Sequence, residues 1–296
     1  MKHRFIDAQR RQYAVRTLCT ALDVSRSGYY AARHRPPSAR TQRQLSLTSR
    51  IQRIHAASRE TYGSPRVHAE LSFQGVPCCQ NTVAKLMRKA NIVPKAIRRF
   101  RLTTDSRNTK ASPNLLRRLF RVERVNHSWV SDITFIPTRE GWLYLAAILD
   151  LHSRAIVGWA MSKRLDSQLA TDALLMALAR RGTAPKLLHS DQGSTYATAA
   201  YRDLLKQHAI QQSMSRKGDC WDNAPMESFF HTLKTELVMH CDYRTREQAR
   251  SSLFDYLEVF YNRHRRHSAI HYVSPMTFER QQSPNCCVHG SWGRSV

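Results

Sequence analysis

Three carboxylates stand where short apolar segments end or where a helix begins. Asp132 lies in WVSDITFIPT, Asp191 in LLHSDQGSTY and Glu227 in DNAPMESFF. Carboxylate oxygens are the ligands that Mg²⁺ and Mn²⁺ prefer in proteins. Two such ions activate water or a hydroxyl group and stabilise the leaving oxygen during displacement at phosphorus. These residue types therefore indicate phosphoryl transfer at a metal site.

Each of the three residues also has an ordinary explanation when it is taken alone. Asp132 lies among apolar and β-branched residues, where an unpaired buried carboxylate is costly and a metal would relieve the cost. Asp191 fits a turn or a cap equally well. Glu227 fits the first turn of a helix, where the helix dipole favours an acid. The catalytic interpretation depends on the three residues together.

The residues before Glu227 are typical of a helix start. Asp222 and Asn223 suit caps, and Pro225 suits the first turn. Lys234 follows Glu227 by seven positions, which returns it to the same helix face after two turns. One helix face thus offers an acid and a base.

Other chemistry has less support in this sequence. His189, Ser190 and Asp191 are neighbours on a strand and point to opposite faces, and the chain has no G-x-S-x-G elbow, so a hydrolase triad is not indicated. No Walker loop implies ATP use. Three nearby carboxylates are assigned to a strand-end contact, a loop and a helix cap, respectively Asp150, Asp219 and Asp222.

The carboxyl half of the chain has the pattern of strands and helices that is typical of an α/β domain. Three strands in an antiparallel meander are predicted at Trp129–Thr138, Trp142–Leu151 and Arg154–Met161. A helix at Asp166–Arg180, a buried strand at Lys186–Ser190 and a helix at Arg244–Tyr261 follow. The residues alone predict α/β architecture with a mixed sheet.

The amino half of the chain is predicted to be helical. Residues 1–35 suggest a helix-turn-helix, or else a short basic hairpin for dimerisation, and two prolines in residues 36–45 suggest a linker. Residues 46–93 predict three helices, at Leu47–Ser58, Arg66–Phe73 and Gln80–Ala90. The last helix offers amides and cations suited to groove readout, or simply a solvated face, at Asn81, Lys85, Arg88 and Lys89.

The charge is concentrated in that amino half. The chain carries 47 Lys and Arg against 22 Asp and Glu, for a formal net charge of +25, and residues 1–126 hold 27 of the basic residues against 6 acidic ones. Such a balance indicates a polyanion such as nucleic acid as the partner. Residues 94–126 are predicted to track DNA phosphates, with cations at Arg98, Arg99 and Arg101 and a short helix at 113–120.

Three longer motifs carry a resemblance to a known family. The 35 residues between Asp191 and Glu227, together with HSDQGSTY, SRKGDCWDNAPMESFF and YNRHRRHSAI (Tyr261–Ile270), resemble the OrfB transposase of bacterial insertion sequences of the "IS-three" family. That family is related to the retroviral integrases through its DDE core. The resemblance spans residues 4–279.

The resemblance implies a fold, a cofactor and a set of site residues. It implies an RNase H-like integrase core, a mixed five-stranded sheet with flanking helices, preceded by helix-turn-helix DNA-binding regions. Asp132, Asp191 and Glu227 would be catalytic and would bind two Mg²⁺ ions, with Mn²⁺ as a substitute. Lys234 would contact DNA at the scissile end. In the family, the basic cluster of Arg263, Arg266 and His267 lies beside the active site. From the residues themselves, this cluster would either contact the DNA backbone or form a structural helix end.

The resemblance also implies partners. These are the terminal inverted repeats and target DNA, a homo-oligomer on DNA, and a small upstream OrfA-type protein as a fusion or a partner. A non-catalytic DNA-binding regulator and a nuclease that does not join DNA are the alternatives. The chain is predicted to divide into an N-terminal helix-turn-helix-like unit (1–35), a linker (36–45) and a helix-turn-helix DNA-binding domain (46–93). A basic linker (94–125), the catalytic core (126–280) and a C-terminal tail (281–296) follow.

The location expected from the sequence is the bacterial cytoplasm. No stretch of the chain approaches a membrane span, and the amino terminus has no run typical of a signal peptide. The seven cysteines include no C-x-x-C, so we expect reduced thiols rather than a disulfide framework or a zinc site.

Overall fold

The computed structural model describes residues 2–95, 112–216 and 220–282. Its first three helices are α1 (Lys2–Gln9), α2 (Val15–Ala21) and α3 (Arg26–His34). They share a small core that includes Ile6, Leu18 and Tyr29. The helices α2 and α3 agree with the predicted helical unit, whereas α1 was not expected from the sequence.

A second helical unit follows, with α4 (Ala39–Ala57), α5 (Ser64–Phe73) and α6 (Gln80–Lys89) around a core that includes Ile51, Val67 and Leu71. The helix α4 begins at Ala39, whereas the sequence predicts its start at Leu47, so residues 39–45 of the predicted linker are helical. Ser38 explains the earlier start, because its side chain accepts a hydrogen bond from the Thr41 amide and caps the helix.

The carboxyl half contains the mixed five-stranded sheet. Its strands are β1 (Ser128–Thr138), β2 (Gly141–Asp150), β3 (Ile156–Ser162), β4 (Leu187–Ser190) and β5 (Gln211–Met214). Their order is β3-β2-β1-β4-β5. The pairs β1–β2 and β2–β3 are antiparallel, which confirms the meander, and β4 is parallel to both β1 and β5.

Helices cover both faces of this sheet. On one face, α7 (Ser167–Arg181) and α8 (Ala199–Gln207) pack around Trp129 and Ile148. The helix α7 lies so close to β3 that a side chain at Gly158 would come within 2.3 Å of the Ala173 carbonyl.

On the other face, α9 (Ala224–Glu236) and α10 (Arg246–Phe254) pack around Val130 and Ile136. A π-helical segment (Asp255–Tyr261) continues α10, and α11 (Pro275–Gln282) ends the described chain. Short 3-10 turns complete the fold at Ser194–Ala197, Cys220–Asn223, Val238–His240 and Ser268–Ile270. None of the helices in the described ranges is long and apolar enough to span a membrane.

The predicted helix at 113–120 is wrong. The amides of Leu115 and Leu116 both donate to the Ser213 hydroxyl, at 2.9 and 3.2 Å, rather than to carbonyls of their own segment. Arg117 and Arg118 have positive φ angles, which an α-helix does not accommodate. This segment therefore runs as irregular chain beside β5.

A buried ion pair lies where the second helical unit meets the sheet domain. The Glu236 carboxylate accepts hydrogen bonds from Arg265 at 2.6 and 2.8 Å and from the Tyr256 hydroxyl at 2.8 Å. From the helical unit, Arg66 approaches the same carboxylate to 3.8 Å. The hydroxyl of Tyr62 adds a second link, because it donates to the His264 carbonyl and accepts from the Arg266 amide.

We expect Glu236→Gln to lower the free energy of unfolding by about 3 kcal/mol, because it leaves the buried Arg265 guanidinium without its counter-charge. Urea unfolding measures the change. Glu247→Gln is the control, because that side chain is 82% exposed and makes only a 3.9 Å pair with Arg250. Equal urea midpoints for the two variants would contradict the structural importance of Glu236.

Candidate active site

The central strand of the sheet positions Asp132. Val130 and Ile136 on β1 point into the core beneath α9 and α10. Because side chains alternate along a strand, Asp132 lies on the same face. Its Oδ1 accepts a hydrogen bond from the Ile133 amide at 2.8 Å, and the side chain is half-buried.

Asp191 follows β4, the parallel neighbour of β1. The register pairs Val130 with His189, and continuing it by two residues brings Asp132 level with Asp191. The Asp191 Oδ1 accepts a hydrogen bond from the Gly193 amide at 2.9 Å. A side chain at Gly193 would lie 2.9 Å from the same oxygen, so a larger residue there would shift the Asp191 carboxylate.

Glu227 lies in the first turn of α9, as predicted, with Pro225 before it. The expected cap at Asn223 is not formed, because its side chain makes no capping hydrogen bond. The Asn223 side chain instead donates to the Ser131 carbonyl at 3.2 Å, which fixes the start of α9 beside the residue that precedes Asp132. Asn223 is thus a positioning residue, and its sequence context suggested only a cap.

The electrostatics show that these side chains interact. Burial raises the pKa of Asp132 well above its usual value, and the negative charges of Asp191 and Glu227 raise it further, whereas the Lys234 ammonium lowers it. Burial also raises the pKa values of Asp191 and Glu227. Burial lowers the pKa of Lys234, and the charge of Asp132 opposes that shift. The fold therefore brings the predicted acids and the predicted base to one place.

The carboxylate oxygens make this place chemically suited to a divalent cation. Within the described ranges, no group of three or more His, Cys, Asp or Glu side chains is arranged so that it could hold a metal ion. Mg²⁺ usually retains several waters and can be bound through one or two carboxylates. Carboxylates that repel one another in a desolvated place are stabilised by a cation. The donor set therefore suits a hard cation.

Asp222 connects the chain just before α9 to Arg216, beyond the end of β5, rather than acting as the predicted cap. It is fully buried and accepts hydrogen bonds from the amide and the guanidinium of Arg216, from Arg118 and from Asn114. The Arg216 hydrogen bonds, with those from Arg118, hold its pKa well below the usual range. Asp219, predicted to be a loop residue, lies outside the described residues.

Two further buried polar groups lie under the site. The His189 ring lies 2.8 Å from the Ser213 hydroxyl and 3.1 Å from the Ser215 hydroxyl, which ties β4 to the end of β5. The Tyr196 hydroxyl lies 3.0 Å from the Ser131 hydroxyl. Asp150 accepts hydrogen bonds from the amides of Asn126, His152 and Ser153, as expected of a strand-end contact.

Family models match most of this chain. Integrase core domain models match residues 122–220 and 227–282, which together cover the sheet, Asp132, Asp191 and Glu227. An HTH-like domain model matches residues 42–100, which include α5 and α6.

Curated relatives are similar over nearly the whole length. The chain is 41% identical over 285 residues to transposase InsF for insertion sequence IS3A of Escherichia coli, covering 95% of this chain and 99% of that protein. The chain belongs to the insertion-sequence transposases. It is also 42% identical over 266 residues to the 31 kDa protein of insertion element IS600 of Shigella sonnei, covering 89% and 98%.

Among solved structures, the transposase is similar to a chain of the simian T-cell lymphotropic virus intasome. The TM-score is 0.47 and the identity is 16%, over 83% of this chain and 79% of that one. The integrase core domain and the transposase relatives make the protein a DNA-binding, DNA-cleaving and DNA-joining enzyme of the polynucleotidyl transferase type.

The structure places the other predicted DNA contacts of the transposase in different settings. Exposed positions on one side of α6 hold Asn81, Lys85, Arg88 and Lys89. Arg263 is exposed too, and its DNA contact stays a prediction. Three residues of the basic segment lie outside the described residues: Arg98, Arg99 and Arg101.

Two residues of the basic cluster face the protein interior. Arg266 forms an ion pair with Glu70 at 2.5 Å and donates to the Tyr272 carbonyl at 2.7 Å. The His267 ring packs against Tyr261, with 4.8 Å between the ring centroids. For Arg266 and His267, these contacts favour a structural role over the predicted contact with the DNA backbone.

The transposase should lose stability in mild acid because of His189. Burial lowers the pKa of His189 to about 4 in the folded protein, against about 6.5 when unfolded. The unfolded state therefore binds more protons between these values, and stability falls as the pH drops through that window. From pH 7 to pH 5, His189 should cost about 2 kcal/mol of unfolding free energy.

Urea unfolding of His189→Gln at pH 7 and pH 5 measures this contribution. We expect the variant to lose about 2 kcal/mol less than the wild type between the two pH values. The exposed His208→Gln serves as the control and should match the wild type. An unchanged acid sensitivity in His189→Gln would show that His189 is not the responsible group.

Proposed function

We propose that Asp132, Asp191 and Glu227 are the catalytic and metal-binding residues of this transposase. With them, the enzyme would cleave the ends of its insertion sequence and join the freed 3′-hydroxyl to target DNA. The observation that supports this most is the setting of Asp132, because burial raises its pKa and the negative charges of Asp191 and Glu227 raise it further. Acids with such perturbed pKa values cluster at functional sites.

The metal ions would be two Mg²⁺ ions, with Mn²⁺ as a substitute. When bound, the ions activate the attacking oxygen and stabilise the leaving oxygen. The three carboxylates would hold them in their deprotonated form, since metal binding displaces protons from its ligands. Lys234 would bind a phosphate of the scissile strand, because its ammonium group is half-buried next to Asp132.

DNA recognition would depend on the second helical unit. The exposed amide and cationic groups of α6 would enter a groove at the terminal inverted repeats, with Asn81 reading a base edge and Lys85 contacting a phosphate. Arg88 and Lys89 would add backbone contacts near the end of the helix. The surplus of basic residues in the amino half would supply most of the salt-dependent affinity.

Assembly would involve further chains. From its resemblance to the family, we propose that the transposase acts as a homo-oligomer on DNA and that a small upstream OrfA-type protein joins it as a fusion or a partner. Because its substrate would be the DNA of a bacterial chromosome, it would act in the cytoplasm.

The catalytic assignment is tested with Glu227→Gln, which keeps the shape of the side chain and removes its charge. On a labelled element-end duplex with Mg²⁺, we expect cleavage and joining to fall by about 1000-fold or more while DNA binding persists, because several kcal/mol of transition-state stabilisation depend on the held cation. The control Glu247→Gln changes a glutamate in the first turn of α10.

The other outcomes separate the alternatives. Cleavage without joined product would indicate a nuclease. If the wild type binds the duplex but never cuts it, even with the upstream partner added, the protein is a DNA-binding regulator. Full activity of Glu227→Gln would exclude Glu227 as a metal ligand.

The role of α6 is tested by comparing two substitutions. Lys85→Gln should weaken binding to all duplexes alike and reduce the slope of log K against log salt by about 1, since one phosphate contact is lost. Asn81→Ala should weaken binding to the terminal repeat by about 1–3 kcal/mol and leave binding to unrelated DNA unchanged.

Lys206→Gln on α8 is the matched control for the α6 variants, because that lysine side chain is 79% exposed. Fluorescence anisotropy over a range of salt concentrations gives both the affinities and the slopes. Wild-type values for both α6 variants would assign DNA recognition to another surface.

A further inference from the structure

A cavity of about 310 Å³ lies between the second helical unit and the sheet domain. Arg66 of α5 lines it from one side, and Arg154 and Arg265 line it from the other. The floor of the cavity is apolar and includes Leu149 and Phe229.

The three arginines have little negative charge to balance them. Arg265 directs two of its nitrogens to Glu236, and its third lies 3.1 Å from the His267 ring. Arg66 shares the Glu236 carboxylate at 3.8 Å while donating to the Arg266 carbonyl. Arg154 donates to the Phe120 carbonyl at 3.1 Å, and the negative charge of Asp150 acts on it without an ion pair in the described chain. One carboxylate thus forms ion pairs with two of the guanidinium groups, and the third has no ion pair among the described residues.

The positive charge of these arginines affects the pKa of a histidine that lines the pocket. Burial lowers the pKa of His267 well below its usual value, and Arg265, Arg66 and Arg154 each lower it further. Burial likewise lowers the pKa values of Arg66 and Arg154. The pocket therefore disfavours additional positive charge, and a bound anion would reduce the repulsion among its positive groups.

The catalytic helix contributes hydroxyl donors to the same pocket. Ser228 and Thr232 of α9 line the cavity together with Ser268. Successive residues of an α-helix are about 100° apart, so Ser228 lies a quarter-turn or so from the face that carries Glu227 and Lys234. The pocket and the carboxylate site are thus on adjoining faces of one helix.

We infer that this pocket binds a phosphate group, held by Arg66 and Arg154 with hydroxyls of α9 at its mouth, while the charge of the buried Arg265 adds to the positive field. Guanidinium groups recognise phosphate through paired, charge-assisted hydrogen bonds, and serine and threonine hydroxyls complete such sites. The ligand in the working complex is a backbone phosphodiester of bound DNA, and this part of the inference rests on the proposed function. Because the arginines come from both units, the phosphate fixes the DNA-binding unit against the core next to Glu227.

Phosphate binding is tested by thermal unfolding in inorganic phosphate, with sodium chloride at equal ionic strength as the reference. At about ten times the dissociation constant, phosphate should raise the wild-type Tm by about 2–4 °C. Arg154→Gln should lose this increase, whereas Arg164→Gln, which removes an exposed arginine outside the cavity lining, should keep it. An equal increase in the wild type and Arg154→Gln would overturn the site.

A second variant guards against a folding defect in Arg154→Gln. Ser228→Glu places a carboxylate at the exposed mouth of the pocket, where it would act as a built-in anion. It should show no further rise in Tm with phosphate. If Ser228→Glu responds to phosphate as the wild type does, the pocket is not the binding site.

The source of the phosphate is tested by competition with a DNA duplex at fixed ionic strength. If the ligand is the DNA backbone, inorganic phosphate should weaken DNA binding several-fold in the wild type and have no effect in Arg154→Gln. Phosphate that binds without competing with DNA would overturn the DNA assignment and indicate a site for free phosphate. Neither result depends on the cleavage assay, so a failure here is distinct from a failure of the catalytic assignment.

Discussion

The repulsion among carboxylates at Asp132 is the constraint on which this structure depends. The central strand β1 carries an acid in a desolvated position, near a second acid that follows the neighbouring strand β4 and a third on α9. Desolvation and like charge both act against the ionised form, so the surroundings have to hold the three groups in place. Lys234 offsets part of the repulsion, and a divalent cation would offset the rest.

Much of the surrounding polar structure serves this purpose. The Gly193 amide donates to Asp191, and Asn223 fixes the start of α9 against β1. Asp222 connects the chain just before α9 to Arg216, beyond the end of β5, and to Arg118. At the far end of α9, Glu236 connects the helix to Arg265 and to Arg66 of the second helical unit. One helix thus links the carboxylates to the part of the chain that would recognise DNA.

The sequence predicted the elements that local pattern controls. Alternating apolar residues indicated the meander, and helical spacing with Asp166 and Gly182 at the ends indicated α7. It failed where distant contacts decide the conformation. Residues 113–120 contain apolar residues at helical spacing, yet their amides pair with Ser213 a hundred residues away. The hydrogen-bond partners of Asp222 and Arg266 likewise could not be predicted from the sequence. An acid just before a helix is typical of a cap, and an arginine in a basic run is typical of a DNA contact.

The central claim is that Asp132, Asp191 and Glu227 share a divalent metal site, and thermal unfolding of Asp132→Asn with and without Mn²⁺ tests it most directly. Without metal, the variant should melt above the wild type, because the substitution removes the repulsion. Mn²⁺ should then stabilise the wild type and Asp172→Asn, an exposed control on α7, but not Asp132→Asn. If Asp132→Asn melts below the wild type without metal and gains as much from Mn²⁺, the three carboxylates do not form a shared metal site.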